Sequence, residues 1–246
     1  MVKIVVDSTC DLPEELMREY DIELIPLRVS LGEKEYLDKV EIRVESVYEA
    51  MRNGIVPMTS QPRPLDMYNM FKQYCINGCD FIYLSFSSKL SGTYQLAASV
   101  INSLKKQYKD VKMKVVDSEG GSTATGLIAM QAAKMAAAGK SFDIVAEQMN
   151  QLVEHIEHIF TIADLSWLIK GGRVGKAEGI IGNILNIKPI LHVNRGMIEV
   201  MQKVRGRKKS LQTIVDILEE KSGTFPEQII GLSHADDPET ALELEN

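Results

Sequence analysis

Three times in the first half of this chain, a short apolar run ends in small polar residues and leads into a helical segment. "KIVVDST" ends on Asp7, Ser8 and Thr9, and "KMKVVDSEGGS" on Asp117, Ser118, Gly120, Gly121 and Ser122. "FIYLSFSSKLSGT" ends in Ser85, Ser87, Ser88, Ser91 and Thr93, with Gly92 among them. Short apolar runs bounded by turn residues and alternating with helices are the pattern of a parallel sheet covered by helices on both faces.

The remaining segments fit that frame. Helical spacing follows the first strand over Leu12–Tyr20, with Pro13 in the first turn. Two extended stretches, Ile22–Leu31 and Glu33–Asp38, join through Gly32, and a helix over Val44–Asn53 is stopped by Gly54. "VPMTSQPRP" reads as a loop before a helix from Leu65 to Ile76, and further helices are expected over Gly92–Tyr108 and Gly126–Gly139. Beyond Phe142 the order changes. A long helix over Phe142–Ile159 precedes "FTIAD", the short helix "LSWLIKG" and the Gly-rich segment "GGRVGKAEGIIGNILN". Strands "KPILHV" and "MIEVMQKV" flank a turn at Asn194-Arg195-Gly196, followed by a helix near Lys209–Glu220 and a strand "QIIGLSHA". The expected architecture is α/β: a Rossmann-like, mostly parallel domain over residues 1–150 and a smaller α+β domain over 151–246, with a ligand cleft between them.

In an open parallel sheet, ligands bind beyond the carboxyl ends of the strands. Helix N-termini there present unpaired N–H groups and a positive dipole end to an anion. The hydroxyl loops fall at that edge, and "MTSQP" adds Thr59 and Ser60 ahead of a proline-marked helix start. Simple N-capping explains any one such loop, but one hydroxyl suffices for a cap. Four such loops in one domain point to a bound anion, a carboxylate or phosphate.

Several function classes drop out. The net charge is −6 with a pI near 5.4, against nucleic-acid binding. No apolar run reaches the roughly 20 residues of a membrane span. The chain opens straight into a strand, and its three cysteines are an odd set without a secretory signal, so a cytoplasmic protein with reduced thiols is expected. Cys75 and Cys79 lack metal or redox spacing, and "EHIEH" places His155 and His158 on a solvated helix face without a metal motif. No serine sits in a nucleophile elbow, and "GGRVGKAEG" fails as a phosphate loop because Lys170 and Ala177 stand where glycine and a hydroxyl are needed. The residues favour binding. The alternative is an enzyme acting on a small phosphorylated or carboxylated metabolite, which needs a base close to Ser91 or Ser118.

"VDSTCDLP", "TSQPRP", "SSKLSGTYQ", "VVDSEGGSTATG" and "LIKGGRV" occur in this order. The ordered set closely resembles the DegV family, bacterial fatty-acid-binding proteins that serve fatty acid kinase, and the likeness runs to about Ser233. The resemblance implies a long-chain fatty acid in a tunnel between two domains, with Thr59 and Ser91 gripping its carboxylate and Arg173 supporting the head-group end. Ser60, Gly92, Thr93 and Ser118 complete the candidate set. It further implies presentation of the acid to a separate ATP-dependent kinase, carriage of the acyl phosphate towards phospholipid synthesis, no catalytic residue in this chain, and no cofactor or metal. Family chains continue through a G-T-H-x-G-P-G segment, so the C-terminus is expected to be truncated; His234 does not match that histidine.

Tunnel lining is expected from Met130, Met135, Ile180, Ile181, Ile184, Leu185, Ile187, Ile190 and Leu191, although each alone fits a core position. The basic run "KVRGRKK", Lys203–Lys209, reads as a solvated turn or as a docking patch for the kinase or for an anionic membrane touched only transiently.

Overall fold

The computed structural model describes residues 2–173, 186–223 and 227–245. The chain divides into two compact units, Met1–Ile156 and Glu157–Asn246.

In the first unit, β1 (Lys3–Asp7) leads through α1 (Glu14–Glu19) to β2 (Ile22–Ile25). An antiparallel excursion follows: β3 (Arg28–Leu31), β4 (Lys34–Leu37), α2 (Val44–Arg52) and β5 (Met58–Ser60). The chain then alternates through α3 (Pro64–Ile76), β6 (Phe81–Ser85), α4 (Thr93–Lys105), β7 (Met113–Asp117), α5 (Ser122–Ala137) and α6 (Phe142–His155). The main sheet has the order β2-β1-β6-β7, with every pairing parallel. Strand alternation splits the core in two. Val5, Phe81, Tyr83 and Met113 face Met67, Phe71, Ala97 and Leu104 of α3 and α4. Ile4, Val6, Ile82, Leu84 and Val116 pack against Ile128, Ala132, Val145 and Met149 of α5 and α6. Burial on both faces explains why these strands read as continuous apolar runs.

One expected loop is a strand. Met58–Ser60 pairs antiparallel with β3, Val29 opposite Thr59 and Arg28 opposite Ser60, so "MTS" lies on the edge of a sheet ordered β4-β3-β5. Three residues carry too little periodicity for a strand to be read locally; the partner strand supplies the order.

In the second unit, β8 (Ile159–Thr161), α7 (Ser166–Gly171), β9 (Ile187–Asn194), β10 (Met197–Arg205), α8 (Arg207–Ser222) and α9 (Pro238–Glu245) follow in turn. The sheet order is β10-β9-β8, all antiparallel. Arg195 and Gly196 both have positive φ, 47° and 83°, as a tight two-residue hairpin turn requires. The long sixth helix ends at His155 rather than Ile159, because Ile159 pairs with His192. His158 therefore lies beyond the helix and is half-buried, not on a solvated helix face. The basic run is likewise no turn: it spans the end of β10 and the first turn of α8, with Gly206 between them. The expected strand Gln228–Ala235 is not one; Ile229, Ile230 and Leu232 are about half exposed there.

Met130 and Met135 belong to the core under α5 and α6, while Ile190 and Leu191 are fully buried in the second unit. Ile180, Ile181, Ile184 and Leu185 lie outside the described residues. Among the described residues, no helix is long and apolar enough to cross a membrane.

Candidate functional site

The order β2-β1-β6-β7 sends the chain one way from β1 and the other way from β6, so the topological switch point lies between these two strands. At their carboxyl ends sits Asp7, 1% exposed. Its Oδ2 accepts hydrogen bonds from the Tyr83 hydroxyl at 3.0 Å and the Phe86 N–H at 2.7 Å, and its Oδ1 accepts from the Thr9 N–H at 3.1 Å and the Thr9 hydroxyl. Burial pushes the Asp7 carboxyl above its ordinary range, against the pull of these donors. Ser8 Oγ accepts from the Leu27 N–H at 3.0 Å. The polar groups of this first loop hold β1 to its neighbours.

The second loop, after β6, folds on its own hydroxyls. Ser87 Oγ accepts from the Lys89 N–H at 3.2 Å, and Ser91 N–H donates to the Ser87 carbonyl at 3.1 Å. Ser91 Oγ lies 2.8 Å from Thr93 Oγ1 and accepts from the Thr93 N–H at 3.3 Å. Thr93 is fully buried and Ser91 half-buried at the start of α4. Either hydroxyl can donate in the 2.8 Å contact; where Thr93 does, Ser91 accepts two bonds and keeps its own proton for a further acceptor. That is more than a helix cap requires.

The third loop is locked to the second. Asp117 Oδ1 accepts from the Ser88 N–H at 3.0 Å and the Glu119 N–H at 3.1 Å. Ser118 Oγ donates to the Gly120 carbonyl at 3.0 Å and accepts from the Gly120 N–H at 3.2 Å, so this buried hydroxyl closes its own turn. Ser122 N–H donates to the Thr9 carbonyl at 2.8 Å, tying this loop to the first.

Thr59 and Ser60 differ from these groups: among the described residues neither hydroxyl has a hydrogen-bond partner, and Thr59 is exposed. The strand end that bears them is anchored from β3. Arg28 Nε donates to the Gln61 carbonyl at 3.1 Å while Arg28 Nη1 reaches both Glu35 oxygens at 3.0 and 3.2 Å. Arg63 adds a bond to Glu35 at 3.2 Å, and the bonds from Arg63 and Arg28 hold the Glu35 carboxyl below its usual range. The Gln61 side chain then lies against Gly92, bringing the Thr59–Gln61 segment to the Ser91–Thr93 loop. Neither Gln61 nor Arg28 was singled out from the sequence; the small residue at position 92 was the available signal. Arg173 belongs to the second unit, where its guanidinium donates to the Gly171 carbonyl.

Among the described residues, the Ser91 and Ser118 hydroxyls bond to Thr93 and Gly120 and not to a histidine, lysine or carboxylate. Neither hydroxyl thus has, among the described residues, the hydrogen-bonded base that an activated serine nucleophile uses. No group of three or more metal-ligating side chains occurs among the described residues.

The family model described as "Uncharacterised protein, DegV family" matches residues 1–246. A DegV domain-containing protein of Caldanaerobacter subterraneus subsp. tengcongensis is 34% identical over 244 residues, 99% of this chain and 86% of that protein. A DegV family protein of Thermus thermophilus, described for its fatty acid binding, superimposes with a TM-score of 0.81 at 30% identity, over 90% of this chain and 78% of that one. A fatty acid (stearic acid)-binding protein of Eubacterium ventriosum gives a TM-score of 0.85 at 27% identity, over 91% and 78% of the respective chains.

Proposed function

Since this chain belongs to the DegV family, we propose that it is a cytoplasmic carrier that binds a long-chain fatty acid in a tunnel between its two units. Thr59 and Ser91 grip the carboxylate. Ser60, Gly92 and Thr93 shape the cradle, Ser118 stiffens the adjoining loop, and Arg173 supports the head-group end. The carrier presents the acid to a separate ATP-dependent kinase and conveys the acyl phosphate towards phospholipid synthesis, performing no chemistry of its own.

The observation that supports this reading is the half-buried Ser91–Thr93 hydroxyl pair at the start of α4, next to a loop brought up through Gln61 on which the Thr59 hydroxyl has no partner among the described residues. Neutral donors suit the task. They hold a carboxylate and still accept an acyl phosphate, whereas an arginine fork discriminates more sharply between the two. The energy comes chiefly from the tail: about fifteen methylenes at ~0.8 kcal/mol each give about 12 kcal/mol gross. Each charge-assisted bond to the head adds only about 1.5–3 kcal/mol, so the hydroxyls orient the ligand more than they retain it. Fatty acid binding described for relatives from Thermus thermophilus and Eubacterium ventriosum agrees with this assignment. An enzyme acting through Ser91 or Ser118 would need a base beside those oxygens, and their bonds run to Thr93 and Gly120 instead.

Mass spectrometry of lipid extracted from purified protein tests the proposal, with a long-chain fatty acid as the expected species. Thr59→Ala combined with Ser91→Ala should weaken its retention and abolish its phosphorylation by the partner kinase while the fold persists. Absence of any acyl chain, together with failure to bind added palmitate, would overturn it.

A further inference from the structure

We propose that Gln61 is a third donor to the ligand's head group, and that position 92 is glycine in order to admit the Gln61 side chain. The proposal rests on the carboxylate-binding reading above and adds a residue to it.

Gly92 has φ −78° and ψ 3°, a conformation open to any L-residue, so the backbone does not demand glycine here. Space does. A Cβ built at position 92 would stand 3.0 Å from Gln61 Oε1 and 4.0 Å from Gln61 Cδ, and it would meet nothing else within 4 Å. The missing side chain is therefore felt by Gln61 alone. In turn, the Gln61 carboxamide has no hydrogen-bond partner among the described residues, although it is half-buried. Its position is imposed from behind. Arg28 Nε holds the Gln61 carbonyl, and the β3–β5 pairing holds the two residues before it.

A half-buried carboxamide without a protein partner loses hydrogen bonds to water unless a ligand supplies them. It follows Thr59 and Ser60 in the chain, and with Oε1 the carboxamide atom nearest position 92, its Nε2 N–H groups are left to add donors to a set that is otherwise hydroxyl; like them it carries no charge. It suits a carboxylate or an acyl phosphate equally, which a carrier of both requires.

The test measures binding of palmitate and of hexadecanol, which has the same tail and no carboxylate. Gln61→Ala should weaken palmitate about five- to tenfold and leave hexadecanol unchanged. Gln61→Glu, nearly isosteric, should weaken palmitate further at neutral pH because its charge repels the ligand. Gly92→Ala displaces only the end of a flexible side chain, so the fold should hold while palmitate weakens as in Gln61→Ala. The double variant should be no weaker than either single one, as expected for two changes that remove the same contact. Unchanged palmitate affinity in Gln61→Ala, an equal loss for hexadecanol, or multiplicative losses in the double variant would each overturn the inference. Thr59→Ala with Ser91→Ala separates the two levels. If that pair weakens palmitate and Gln61→Ala does not, the role of Gln61 fails alone; if neither does, the head-group reading fails with it.

Discussion

The Asp7 carboxylate accepts a hydrogen bond from the Tyr83 hydroxyl at 3.0 Å, across the boundary between β1 and β6 and out of reach of solvent. The same oxygen accepts from the Phe86 N–H, so one side chain fixes the point where the Ser87–Thr93 loop leaves the sheet. The polar edge of the sheet is thus built in two tiers: buried groups that bond only to protein, and outer hydroxyls supported by them.

Replacing Asp7 tests the inner tier. Asparagine offers one acceptor oxygen where four donors now converge, so its amide N–H groups must face other donors. Asp7→Asn should destabilise the protein by about 1–3 kcal/mol, read as a lower urea midpoint. An unchanged midpoint would show that the carboxylate does not hold the two strands together.

Arg28 tests the support of the outer tier. Its ion pair with Glu35 is partly exposed, with Arg28 25% and Glu35 36% accessible, so it contributes little stability. Arg28→Ala should therefore leave the melting temperature nearly unchanged and weaken palmitate severalfold, because the Gln61 carbonyl loses its anchor. Binding that stays at the wild-type level would separate Arg28 from the site.

Gly121 tests loop packing. It is extended, with φ −169°, so backbone strain plays no part, but a Cβ there would lie 2.4 Å from Phe86 Cε2. Gly121→Ala should cost about 1–3 kcal/mol by overpacking. Adding Phe86→Ala should return part of that loss, a coupling visible in a double-mutant cycle. Simple additivity of the two changes would contradict the contact.

His158 sets a pH dependence. Burial lowers its pKa from 6.5 to about 4, with the Glu157 charge opposing, and its Nε2 has no partner among the described residues. The folded protein keeps the imidazole neutral while the unfolded chain binds a proton below about pH 6.5. The stability this group contributes is present above that pH and is lost as pH falls towards about 4, by at most about 3 kcal/mol. His158→Leu should flatten the difference in urea midpoint between pH 7.5 and pH 4.5. Parallel profiles for the two proteins would refute the assignment.

The elements were legible where the information is local. Apolar runs such as "KIVVD" and "FIYLS" are strands because both of their faces are buried, and Pro64 and Gly54 mark helix ends through their own backbone chemistry. The gathering of hydroxyls at strand ends was equally plain, since each loop carries its own Ser and Thr. Errors came where a partner decides: "MTS" is a strand through Val29 and Arg28, Ile159 leaves its helix through His192, and Gln228–Ala235 lacks a strand neighbour among the described residues.

From the order of residues alone came the alternating α/β design and the polar edge, because periodicity and turn chemistry act over a few neighbouring positions. The contact between Gln61 and Gly92, the anchoring of Gln61 by Arg28, and the division between hydroxyls bonded within the protein and those without a partner among the described residues came from folding. Each joins residues far apart in the chain, and such pairings exist only once the sheets have set their strand order.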